Sequence, residues 1–114
     1  MKDVDRITIT ELSGMADKMY GSLVKAVVDI EKGEMVVDAE MHVDEEELLL
    51  KKGSKQKNLW GINLYPGKFN SDGFVEFDSM VNIRPSQQNY SRSVEDKKTR
   101  DAIIDLVMQK VSDE

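Results

Sequence analysis

The 114-residue sequence predicts an α+β fold: a two-layer sandwich in the order α-β-β-α-β-β-α, with helices on one face of a four-stranded, mainly antiparallel sheet. Three observations carry that expectation. An apolar stripe of helical period follows a capping motif near the N-terminus. Apolar residues then alternate with period two on both sides of Lys32-Gly33. The same succession, capped helix and then alternation, recurs in the second half.

The first helix is announced by Thr8 and Glu11, a T-x-x-E capping box. Behind it Leu12, Met15, Ala16, Met19 and Tyr20 share one helical face, and Gly21 ends the helix. Val24, Ala26, Val28 and Ile30 then alternate along a first strand, and Met35, Val37, Ala39, Met41 and Val43 along a second. A tight turn between Lys32 and Gly33 pairs Ile30 with Met35, Val28 with Val37, Ala26 with Ala39 and Val24 with Met41. On the opposite side Lys25 then faces Glu40. Asp44 is expected to cap the second helix, with Glu47 in its capping box. Glu45 and Glu46 suit its positive end, and Lys51, Lys52 and Gly53 its close. Trp60, Ile62 and Leu64 open a third strand that ends at Tyr65-Pro66-Gly67. A fourth strand over 74–84 alternates Val75, Phe77, Val81 and Ile83 against Glu76, Asp78, Asn82 and Arg84. Ser93 is the expected cap of a last helix whose apolar face carries Ile103, Ile104, Leu106, Val107 and Val111.

Size and composition narrow the function. The chain is a single domain, 1–114, long enough to bury one core. It holds no cysteine, which removes disulfides, thiol nucleophiles and thiolate metal sites. A net charge of −6 argues against nonspecific nucleic-acid binding. No apolar run approaches a membrane span, and MKDVDRITIT has no uncharged apolar core of a signal peptide. Cytoplasmic residence without membrane association is the expectation.

Helices on one face leave the other face open. That face presents Lys25, Asp29, Asp38, Glu40, His42, Asn63, Glu76, Asp78, Asn82 and Arg84. Glu40, His42 and Asp44 follow at strand spacing, the pattern of a metal or general-base site. Two of the three already have structural duties, as a partner of Lys25 and as a helix cap, so no metal and no cofactor are expected. The stronger candidate is the polar run 82–93, NIRPSQQNYSRS, which connects the fourth strand to the last helix. Arg84 and Arg92 offer forked donors for a carboxylate or phosphate, and Asn82, Ser86, Gln87, Asn89 and Ser91 offer further hydrogen bonds.

The phrases K-A-V-V-D-I-E-K-G (25–33), N-L-W-G-I-N-L-Y-P (58–66) and N-I-R-P-S-Q (82–87) occur together in this order. Through them the chain resembles a family of short prokaryotic proteins catalogued as a domain of unknown function. The resemblance implies a small cytoplasmic protein over nearly the whole chain, with no activity to carry across. Relatives often place glycine and arginine where this chain has Gln88 and Tyr90, which counts against a basic role at position 90. The residues therefore point to a noncatalytic binding or interaction module, with a homodimer among the expected assemblies, that takes an anionic ligand or a protein partner through 82–93 and the open sheet face. The alternative is a small hydrolase or transferase acting on an anionic substrate, with His42, Glu40 or Asp78 as base and Arg84 as clamp.

Overall fold

The computed structural model describes residues 1–113. Its main sheet has five strands, all antiparallel to their neighbours: β1 (Lys2–Val4), β4 (Glu34–Val37), β3 (Val24–Asp29), β5 (Leu59–Leu64) and β6 (Val75–Glu76), in that spatial order. A separate parallel pair joins β2 (Ile7–Thr8) to β7 (Val111–Ser112). Three helices, α1 (Ile9–Lys18), α2 (His42–Lys51) and α3 (Lys97–Lys110), complete the fold. The α+β class and the antiparallel sheet hold, while the strand count and order differ from expectation. The extra strand at one edge, β1, is too short and polar to show a period.

The helices do not share one face. Leu12 and Ala16 of α1 and Ile103 and Val107 of α3 pack with Ala26, Val28, Met35, Val37, Ile62 and Leu64. Leu49 of α2 packs on the alternate residues Val27, Val36 and Leu59, with Leu48 beside it. The central strands are apolar on both sides, as in V-V (27–28) and M-V-V (35–37), and strands of that kind are covered twice. The expected open face is therefore occupied by α2 and by the turn Met80–Asn82.

The capping box forms as expected: the Glu11 amide donates to Thr8 Oγ1 at 3.0 Å and the Thr8 amide to Glu11 Oε1 at 3.2 Å. The first hairpin keeps its facing but slips by two residues, pairing Val28 with Met35 and Ala26 with Val37. Asp29 is the cause. Its Oδ1 accepts from the Glu31 and Lys32 amides, both at 2.9 Å, and its Oδ2 from Ser54 Oγ at 2.6 Å. A side chain that saturates turn amides favours the longer loop, with Gly33 supplying its left-handed residue at φ 69°. The shifted register no longer sets Lys25 opposite Glu40; on its other side, across β3 and β5, Lys25 stands opposite Asn63.

Three further boundaries move. The second strand stops at Val37, because Asp38 turns the chain at φ 69°. Helix α2 begins at His42, so Asp44 lies inside its first turn, and the preceding Met41 provides no side-chain cap. The last helix is capped by Asp96, whose carboxylate accepts from the Thr99 amide at 3.0 Å, and not by Ser93. The long fourth strand is reduced to β6. Ser79 Oγ accepts from the Val81 amide at 3.3 Å and folds the backbone into a turn. Asn82 then stands in for the missing strand: its Oδ1 accepts from the Gly61 amide at 2.8 Å and its Nδ2 donates to the Gly61 carbonyl at 2.9 Å. Only glycine fits at position 61, since a Cβ there would lie 2.6 Å from the Ser79 side chain.

Candidate functional site

The segment 82–93 is largely satisfied by its own chain. Asn82 is fully buried on Gly61 and also donates to the Arg92 carbonyl at 3.0 Å. The Arg84 guanidinium donates to the Gln56 and Leu59 carbonyls and, at 3.0 Å, to Gln87 Oε1, while lying 4.2 Å over the Trp60 ring. Burial lowers its pKa, and nearby Glu46 acts in the opposite sense. Gln87 donates onward to the Lys57 carbonyl at 3.1 Å. Asn89 is buried and crosslinks the loop, donating to the Asn82 and Ser93 carbonyls at 2.8 and 2.7 Å and accepting from the Glu95 amide at 2.8 Å. Ser91 gives its amide to Glu95 Oε2 and takes the Ser93 amide on its hydroxyl. Those amide bonds, from Tyr90 first and Ser91 next, hold the Glu95 carboxyl below its ordinary range. Ser86 is exposed on the short turn Pro85–Gln87.

Arg92 is the member of this segment that reaches a different place. It lines a cleft of about 150 Å³ together with Lys25, Met41, His42, Val43, Asn63, Asp78, Ser79, Met80 and Val81. The cleft lies between the start of α2, the turn after β6 and the edge of β5. Arg92 Nε donates to Asp78 Oδ1 at 2.6 Å, an exposed pair that leaves the terminal guanidinium nitrogens without a carboxylate. Lys25 lies 4.9 Å over the Tyr20 ring, and no described carboxylate forms an ion pair with it. Met41 precedes the first turn of α2, whose amides have no side-chain acceptor.

His42 is buried, and its Nε2 lies 2.8 Å from the Ile62 carbonyl, which places the ring proton on Nε2 and a lone pair on Nδ1. Desolvation is the main reason its pKa falls below 6.5; the Ile62 contact opposes this and Lys25 reinforces it. His42 does not meet its sequence neighbours as a metal site, because it sits on a helix and not a strand. Among the described residues no group of three or more His, Asp or Glu is placed to hold a metal ion. Ser79 faces Gly61 and is 1% exposed, so its hydroxyl is committed to the turn and not offered as a nucleophile. Arg84 lies apart from His42, which is joined in the cleft by Asp78 and Arg92.

A family model described as "Protein of unknown function (DUF5674)" matches residues 4–110. The chain belongs to this family. The match runs from the end of β1 to the end of α3 and so includes every residue of the cleft. No curated protein and no solved structure matches the chain. No described helix is long and apolar enough to cross a membrane.

Lys25, Asn63 and Asp78 were legible as polar strand positions, but nothing local marks them as neighbours of Arg92. Met41 and Val43 read as core by their period and are instead exposed around the cleft, at 53% and 49%, beside Met80 at 65%. The exposure of Met41 and Val43 follows from the turn at Asp38, which takes the chain out of the strand where that period would have buried them.

Proposed function

We propose that the protein is a noncatalytic binding module that takes an anionic group, from a small ligand or a protein partner, in the cleft beside the start of α2. The carrying observation is convergence. Two cations from different elements, Lys25 and Arg92, line one concavity with Met41 and His42 at the start of a ten-residue helix whose N-cap makes no side-chain hydrogen bond. Neutral His42 adds no opposing charge, and Asp78 is occupied by Arg92. The exposed Met41, Val43 and Met80 give a bound group an apolar rim, which a protein partner or a second copy of the chain would also cover.

His42 is the single histidine, so its ring signals report the cleft directly by NMR. Acetate or inorganic phosphate is expected to raise the His42 pKa, because a nearby anion favours the imidazolium. The amide signals of Met41, His42 and Val43 should shift in the same titration. A His42 titration curve indifferent to both anions would remove the reading.

One observation favours the hydrolase or transferase alternative: His42, in its base form, lines the same cleft as Asp78 and Arg92. Turnover of phosphoesters or carboxylic esters that is lost in His42→Gln would establish it over the noncatalytic reading.

A further inference from the structure

We propose that the β6 edge of the sheet is a docking surface for an extended, basic peptide segment, which adds to the sheet as a further strand. The surface lies apart from the cleft described above and shares no residue with it. Two independent features meet there, an open backbone edge and an apolar groove rimmed by acids.

The register of β5 and β6 fixes the edge. Leu64 stands opposite Val75, and Asn63 opposite Glu76. Gly61 turns its amide and carbonyl to Asn82, and the Tyr65 amide donates to the Phe74 carbonyl at 2.9 Å. Backbone groups alternate in direction along a strand, so those of Asn63 and Glu76 meet, and the amide and carbonyl of Val75 point outward. β6 ends the sheet order, and no strand receives them. The chain closes this edge further on, at Ser79, whose amide donates to the Arg92 carbonyl at 3.0 Å. The opposite edge, β1, is guarded by charge, since Lys52 bridges Asp3 and Glu34. β6 has only Glu76, which is taken by Asn63 and Tyr65.

Val75 and Phe77 pack toward the core that α3 covers, and with Phe74, Ile104 and Met108 they line a groove of about 330 Å³. Ile104 and Met108 are 38% and 40% exposed and sit one turn apart, on the outer stripe of α3 that also carries Asp101 and Asp105. Asp72 lines the groove from the hairpin loop, and no Lys, Arg or His lines it. Asp101 is paired with Lys97 at 2.9 Å, while among the described residues Asp72 and Asp105 have no ion-pair partner. A second copy of the chain would set these acids against their own images, so charge selects a basic partner over self-association. The occupant is therefore a strand whose alternate apolar side chains lie on Ile104 and Met108 and whose ends carry cations.

The test is an NMR titration of the intact chain with the acetylated, amidated peptide Lys-Thr-Val-Thr-Val-Thr-Lys, read at the Val75 and Phe77 amides and the Ile104 and Met108 methyls. Binding with a Kd below about 1 mM is expected. Replacing both lysines by glutamate should weaken it about tenfold or more. N-methylation of the valine amides or of the threonine amides, in separate peptides, should abolish binding in one form and spare it in the other, because only alternate N–H groups of an added strand face the sheet. Ile104→Lys should abolish binding and leave the rest of the folded spectrum intact. Asp105→Lys should reverse the preference toward the glutamate peptide. Equal binding of the lysine and glutamate peptides, or of the two methylated forms, overturns the inference, as does the absence of shifts at these positions at millimolar peptide. Dimerisation that Ile104→Lys removes also overturns it, by assigning the groove to a second copy. The anion reading, followed at His42, is untouched by each of these results.

Discussion

Glu45 lies in the first turn of α2 with no exposed surface, and Glu45→Gln isolates its contribution to stability. Burial raises its pKa from 4.5 to about 9, opposed by the Ala39 amide, which donates to Oε2 at 3.1 Å. The other oxygen, Oε1, has no partner. Between those two pKa values the folded chain holds a proton that the unfolded chain has released. Stability is therefore greatest below 4.5 and declines as pH rises toward about 9. The slope approaches about 1.4 kcal/mol per pH unit. From about pH 7 to about pH 8.5 this amounts to about 2 kcal/mol, a sizeable share of the ~5–15 kcal/mol that holds a domain folded.

That window avoids the other shifted groups. His42, with its pKa lowered, stabilises the fold increasingly as pH rises toward 6.5, and is neutral in both states above it. Glu95 and Asp96, held low by amide and Thr99 contacts, act only in the acid range. Glu45→Gln keeps the acceptor for the Ala39 amide but places an amide group where Oε1 lacks a partner, costing about 1–3 kcal/mol at all pH values. The discriminating quantity is the slope. Urea unfolding across the window should show the wild type losing stability and Glu45→Gln staying flat. Equal slopes in the two proteins would refute the buried neutral acid.

Arg84→Ala should lower the unfolding free energy by about 2–4 kcal/mol, since it strips donors from the Gln56 and Leu59 carbonyls and uncovers Trp60. An unchanged urea midpoint would show that the guanidinium is free for a ligand. Asn82→Ala should cost about 3 kcal/mol or more, because it orphans both polar groups of Gly61 and the Arg92 carbonyl. Hydrogen exchange at the Gly61 amide checks this, and protection equal to wild type would mean that another group closes the edge of β5.

Local signals were legible in the residues. Thr8 and Glu11 sit three apart and need only a helix start to find one another. Leu12 and Ala16 fall on the buried side of α1 for the same reason, and the facing of β3 and β4 followed from alternation. The failures have a common cause, a polar side chain that binds nearby backbone and redirects it. Asp29 lengthened the hairpin loop, and Ser79 ended a strand whose alternation continued through Ile83. Val27 and Val36 lie on the sheet face expected to be open, and α2 covers them through Leu49 in a helix that reads as acidic.

The polar run 82–93 shows the division most plainly. Its composition announced a dense hydrogen-bonding segment, and it is one. Composition alone does not say whether such a segment bonds outward to a ligand or inward to the chain. That depends on which backbone groups lie within reach, and those of Gly61, Gln56 and Leu59 are more than twenty residues away in sequence. The sequence by itself determined the class of fold, the capped first helix, the period of the strands and the absence of cysteine chemistry. Only the tertiary structure decided that Asn82, Arg84 and Asn89 hold the chain together while Arg92 joins Lys25, His42 and Asn63 at a cleft. Periods and caps act within a few residues, whereas a polar atom's partner is chosen by proximity in space.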